Sequence, residues 1–193
     1  MKSQSNLSDQ QLIHLYMDGN SEALSSLVYR YKDKIYTSIF LLVKDKYLAE
    51  DIFQDSFVKV IDTLKSGGYT HDGRFLPWVM RIAHNLCIDH FRKLKRTPTI
   101  QTSDDPDIFE VINFSEPGAD RRMMQAQSHD TVRKMLDMLP EDQREVIILR
   151  HYADLNFKEI ASLTKCSINT SLGRMRYGLI KLRKIMVEKQ IAL

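Results

Sequence analysis

Glycine and proline are scarce in this chain, seven and five among 193 residues, and few stretches alternate apolar with polar side chains. A protein built mainly of strands and tight turns is therefore excluded. Cysteine is scarcer still. Cys87 and Cys166 lie far apart, each inside a helical pattern, which excludes a disulfide framework and fits two core-like thiols in a reducing compartment. No apolar run nears the length of a membrane span, and the opening MKSQSNLSDQQ lacks a signal-peptide pattern. A cytoplasmic protein with no membrane insertion is expected. One further absence is local. Residues 97–120 contain no lysine or arginine but carry Asp104, Asp105, Asp107, Glu110, Glu116 and Asp120.

What is present is helix-forming material. At 43% hydrophobic and 27% charged the chain is globular, and its apolar residues recur at i, i+3, i+4 and i+7. An all-α fold is predicted. The net charge of +3 is too small to announce a nucleic-acid partner, but its distribution points to one. The basic residues are concentrated in the helices flanking residues 97–120, as contact with phosphate requires. That segment, with three prolines and few apolar residues, has the composition of a flexible acidic linker. Roughly two dozen residues extend to about 80 Å. Two small helical domains, residues 1–96 and 121–193, can thus touch well-separated parts of one DNA.

Local signals place the helices. Ser8-Asp9-Gln10-Gln11 resembles a capping box and opens a short helix through Tyr16, which Gly19-Asn20 breaks. A helix over 21–43 has Leu24, Leu27, Val28, Tyr31, Ile35, Ile39 and Leu42 as its stripe. The next, over 48–64, has Phe53, Phe57, Val60, Ile61 and Leu64. Residues 66–73, SGGYTHDG, form a loop, and Pro77 suits the first turn of a helix from Phe75 to Arg96. Beyond the linker, helices are expected near 122–139, from Pro140 to about Tyr152, and over 157–163, the last capped by Asn156 and Glu159. Ser167 caps a final helix that runs to about Glu188.

The Phe75–Arg96 helix sorts into two faces. Leu76, Val79, Ala83, Leu86 and Leu94 make a core stripe; Trp78, Arg81, Asn85, Asp89, Arg92 and Arg96 share the other side. An aromatic plane stacks on any unpaired base, while asparagine and arginine reach base edges and phosphates. The plainer alternative is a solvated basic face with Trp78 folded over a neighbouring helix. The 157–163 helix, a turn and the longer basic helix make a helix-turn-helix, whose second helix lies in the major groove. In that helix Ile168, Leu172, Met175, Leu179, Leu182 and Met186 are expected as the buried stripe. Thr170, Gly173, Arg174, Tyr177, Lys181 and Lys184 are expected outside, against base edges or phosphates.

Taken together, these motifs resemble the RNA polymerase sigma factors of the sigma-70 family, extracytoplasmic-function (ECF) class, over nearly the whole chain. AEDIFQDSFVKV (49–60) stands in the place of the polymerase-binding helix. FLPWVMRIAHNLCIDHFRK matches the pattern F-x-x-W-[LV]-x-x-I-A-x-N-x-x-x-D-x-x-R of the promoter-opening helix. LPEDQREVIILRHYADLNFKEIA leads into the helix-turn-helix of the second domain. The resemblance implies that Glu50, Asp51, Gln54 and Asp55 grip the clamp helices of the polymerase β′ subunit. Trp78, Arg81, Asn85, Asp89, Arg92 and Lys93 would act on the minus-ten element, where a base is held flipped out beside the 66–73 loop. Ser167, Asn169, Thr170, Gly173, Arg174, Tyr177 and Lys181 would face the minus-thirty-five duplex. Further implied partners are the β flap and an anti-sigma factor. The chain departs from the frequent S-x-G-T-V-K-S-R start of the recognition helix: Leu172 replaces the lysine, Gly173 the serine, and Tyr177 a usual arginine.

The competing readings are a helix-turn-helix regulator with an N-terminal sensing or dimerisation domain, and a helical phosphohydrolase. No P-loop, nucleophile elbow or paired-carboxylate site appears, so no catalytic residue, enzyme activity or cofactor is assigned. His84, Cys87 and His90 at i, i+3 and i+6 do not share one face, and the His71-Asp72 and His129-Asp130 pairs lack further ligands. No metal site is expected.

Overall fold

The structure, a computed structural model, describes residues 7–70, 74–96 and 131–190. All regular structure among them is helical, and it divides into two compact units. The first holds α1 (Asp9–Met17), α2 (Ser21–Val43), α3 (Lys46–Lys65) and α4 (Phe75–Arg96). The second holds α5 (residues 131–137), α6 (Glu141–His151), α7 (Phe157–Leu163) and α8 (Ile168–Glu188). The expected all-α architecture of two helical domains is what the chain adopts. The linker over 97–120, the helix start near 122, part of the 66–73 loop and both His-Asp pairs lie outside the described residues.

In the first unit α1, α2 and α3 each start where a side chain satisfies free N–H groups. Ser8 Oγ accepts from the Gln11 N–H while Gln11 Oε1 accepts from the Ser8 N–H, closing the expected capping box. Asn20 caps α2 and Asp45 caps α3. The Asp45 cap starts α3 two residues earlier than the apolar pattern indicates. Leu12, Leu27, Ile35, Ile39, Val60, Leu64, Phe75, Val79, Met80 and Ala83 form the fully buried centre. A charged clamp ties α1 to α2: Arg30 donates to Asp9 at 2.6 Å and to the Leu7 carbonyl at 2.8 Å, and the Tyr31 hydroxyl donates to Asp9 at 2.7 Å. Of the residues assigned to stripes, Val28, Tyr31, Phe53, Ile61 and Leu86 are half-buried at the margins, and Leu94, in the last turn of α4, is exposed.

The second unit buries Met135, Leu136, Leu139, Val146, Ile147, Ile148, Leu149, Leu155, Ile160 and Ala161. Asn156 and Glu159 close a second capping box at α7, and Ser167 Oγ accepts from the Thr170 N–H to cap α8. Arg150 donates to the Leu155 carbonyl at 2.9 Å and lies over the Phe157 ring, fixing the entry to α7. One expectation fails here. The buried side of α8 is Ser171, Gly178 and Ile185, with Met175 and Leu182 partly covered; Ile168, Leu172 and Leu179 are exposed. At about 100° per residue, the observed inward direction is rotated by roughly 70° from the apolar stripe. Small residues set it: Gly178 allows close approach to α6, and Ser171 is buried with its hydroxyl against Cys166. A Cβ on Gly178 would stand 2.8 Å from Ile147 Cδ1 and 3.4 Å from Gln143 Cβ.

Candidate nucleic-acid and polymerase interfaces

Helix α4 carries its expected polar face. Arg81, Asn85, Asp89, Arg92, Lys93 and Arg96 are exposed, opposite buried Leu76, Val79, Ala83 and Cys87. Asp89 accepts from Arg92 at 3.3 Å with both side chains in solvent, a weak pair that nucleic acid can displace. Lys93, Lys95 and Arg96 gather in the last turn, where their charge also complements the helix dipole. His84 and Cys87 turn into the core, and burial pushes the Cys87 thiol up to about 12. They are placed for packing.

Trp78 combines both readings offered for it. It is half-buried, with its ring centroid 5.9 Å from Phe75 on the core side and 4.1 Å from Tyr69 on the loop side. Phe75 in turn meets Tyr31 of α2 at 5.9 Å. The tryptophan is therefore the outermost ring that is anchored to the core, and Tyr69 lies against it. Sequence reasoning included the loop but did not single out Tyr69. The aromatic after Gly67-Gly68, placed just before the helix, was the available signal.

On α3, Asp51, Gln54 and Asp55 are exposed and Glu50 is half-buried. Glu50 lies near the Tyr36 hydroxyl; burial first, and then the Glu50 charge, raises the Tyr36 pKa. Tyr36 meets Phe53 edge-on at 6.0 Å, and Phe53 meets Phe57 at 4.9 Å, so an aromatic base stiffens the acidic face from below. Tyr47 and Val58 are exposed on the same outer side, at 70% and 54%. Tyr47 precedes the helix start that the apolar pattern indicates, and Val58 lies off its stripe.

On α8 the named residues are not equivalent. Asn169, Tyr177 and Lys181 are exposed, and the site of a Cβ on Gly173 is open space. Ser167 and Thr170 are exposed, but their hydroxyls bond each other at 2.8 Å and Ser167 also caps the helix. Arg174 is not on the outward side; it is half-buried and its Nε pairs with Asp142 of α6 at 3.1 Å. In the turn before α8, burial would raise the Cys166 thiol, but bonds with the Ser171 and Thr164 hydroxyls and the Arg174 charge outweigh it and hold the pKa below its usual value.

Residues 27–97 match the family described as Sigma-70 region 2, and residues 129–174 the family described as Sigma-70, region 4. The RNA polymerase sigma-H factor of Pseudomonas aeruginosa is 31% identical over 173 residues, covering 86% of this chain and 88% of that protein. The ECF RNA polymerase sigma-E factor of Escherichia coli is 30% identical over 176 residues, covering 88% and 89%. The chain belongs to the ECF RNA polymerase sigma factors. Two solved structures share the fold of this sigma factor. CnrH in complex with the cytosolic domain of CnrY has a TM-score of 0.63 at 22% identity, covering 93% of this chain and 97% of that one. RpoE in complex with the anti-sigma factor NepR from Bartonella quintana has a TM-score of 0.64 at 18% identity, covering 84% and 96%. The regulator alternative is set aside, since the N-terminal half of this sigma factor is a region 2 unit and not a sensing domain. No described helix is long and apolar enough to cross a membrane.

Proposed function

We propose that this sigma factor binds core RNA polymerase, directs it to a set of promoters and assists their melting, with the work divided by unit. The first domain, residues 1–96, engages the polymerase β′ clamp helices through Glu50, Asp51, Gln54 and Asp55, flanked by Tyr47 and Val58. It takes the minus-ten element on Trp78, Arg81, Asn85, Asp89, Arg92 and Lys93. Extruding a base costs a few kcal/mol, which stacking on the Trp78–Tyr69 pair and hydrogen bonds from Asn85 and Arg81 offset. The second domain, residues 121–193, places α8 in the minus-thirty-five major groove while contacting the β flap. Residues 97–120 connect the two domains through an acidic stretch without lysine or arginine. The polymerase makes and breaks the bonds; this chain supplies recognition and assists melting, and acts in the cytoplasm. An anti-sigma partner is proposed on the precedent of RpoE with NepR.

The observation that carries this reading is the exposed Arg81-Asn85-Asp89-Arg92 row, which begins at a half-buried tryptophan packed between Phe75 and Tyr69. Trp78→Ala and Asn85→Ala are expected to leave affinity for core polymerase unchanged. Both should lower open-complex formation about tenfold, since base stacking contributes about 1–3 kcal/mol and a hydrogen bond lost from a buried base edge about 1–3 kcal/mol. Permanganate footprinting of unpaired thymines checks this, beside a polymerase-binding assay. Loss of polymerase binding in these variants would mean that the face serves the protein partner instead.

A further inference from the structure

The first two turns of a recognition helix are the part that reaches base edges, and in α8 they carry an unusual set of side chains. Burial of Ser171 and Gly178 fixes which way the helix faces. Ser167 and Thr170 are engaged with each other and with the cap. Arg174 is turned toward Asp142, and Gly173 has no side chain to offer. What projects from these turns is Ile168, Asn169 and Leu172, with Arg176 just beyond them, and Ile168 and Leu172 are 46% and 43% exposed. Two branched apolar side chains thus stand one turn apart, with an amide and a guanidinium beside them.

In the major groove only one base presents an apolar group. Guanine, adenine and cytosine offer donors and acceptors, whereas thymine adds its C5-methyl. An aliphatic side chain set among basic residues on a groove-reading helix has that methyl as its matching partner. We propose that Leu172, with Ile168 beside it, packs on thymine methyl groups and makes this factor select thymine in the minus-thirty-five element. The inference rests on α8 being the minus-thirty-five helix. It assigns the specificity to two residues that hydrophobic periodicity would place in the core.

The test removes one methyl at a time. Holoenzyme reconstituted from core polymerase and the full chain is bound to a promoter it transcribes, with each minus-thirty-five thymine replaced singly by deoxyuracil. Promoter affinity is expected to fall about fourfold at one or two positions, the effect of losing one buried methyl. Leu172→Ala should abolish the difference between thymine and uracil at one of them, and Leu172→Lys should shift selection there toward guanine. Both changes are at an exposed position, and thermal melts of the variants check that folding is intact. The proposal is overturned if uracil is tolerated everywhere by the wild-type factor, or if its penalty persists in both Leu172→Ala and Ile168→Ala. If no template gives a promoter-specific transcript, it is the sigma-factor assignment that fails, and the methyl contact falls with it.

Discussion

Two glycines five residues apart on α8 sit in opposite surroundings. A Cβ on Gly173 would meet open space, while one on Gly178 would meet Ile147 Cδ1 and Gln143 Cβ. Gly173→Ala should therefore stabilise the unit by about 0.5–1 kcal/mol, the gain in helix propensity. Gly178→Val should destabilise it by about 2–3 kcal/mol through overpacking against α6. Urea melts of the two variants check the pair of signs. Tyr31 makes a separate prediction. Burial first, then its bond to Asp9 and the charge of Asp9, push its pKa from 10.0 up to about 12. The neutral form is the one the fold favours, so this stabilisation is complete below pH about 10 and is lost as pH rises toward about 12. Stability should decline over that window in the wild-type protein and decline less in Tyr31→Phe, measured by melts across the alkaline range.

At the scale of the element, what was legible was local. Each cap needs only residues three apart, and Ser8 with Gln11, Asn156 with Glu159, and Ser167 all stand where the sequence puts them. Asn156→Ala should cost about 1 kcal/mol and loosen the start of the helix-turn-helix, read as a lower melting temperature and weaker duplex binding. The two faces of α4 were also legible, because its core side is apolar and its outer side charged. The facing of α8 was not. Its inward positions hold serine and glycine, which carry no hydrophobic signal and matter through their small size, while isoleucine and leucine stand outside. Periodicity follows hydrophobicity, and here close packing decided instead. The Arg174–Asp142 pair, which turns an arginine away from the outward side, was not legible either, because it joins side chains of two different helices.

For the whole molecule, the central claim is a division of labour: one unit for the polymerase and the unpaired minus-ten strand, another for the minus-thirty-five duplex. Matches to region 2 and region 4 in that order, with relatives aligned over 86–88% of the chain, make the family membership secure. Neither unit is sufficient in this account, because α8 alone does not open DNA and the α4 face alone has no duplex anchor. The direct measurement is run-off transcription on host genomic fragments with core polymerase, with and without this protein. The account predicts discrete transcripts that require the protein and start downstream of a shared pair of promoter elements. Transcripts no different from those of core polymerase alone, together with tight sequence-specific duplex binding by the isolated protein, would contradict it.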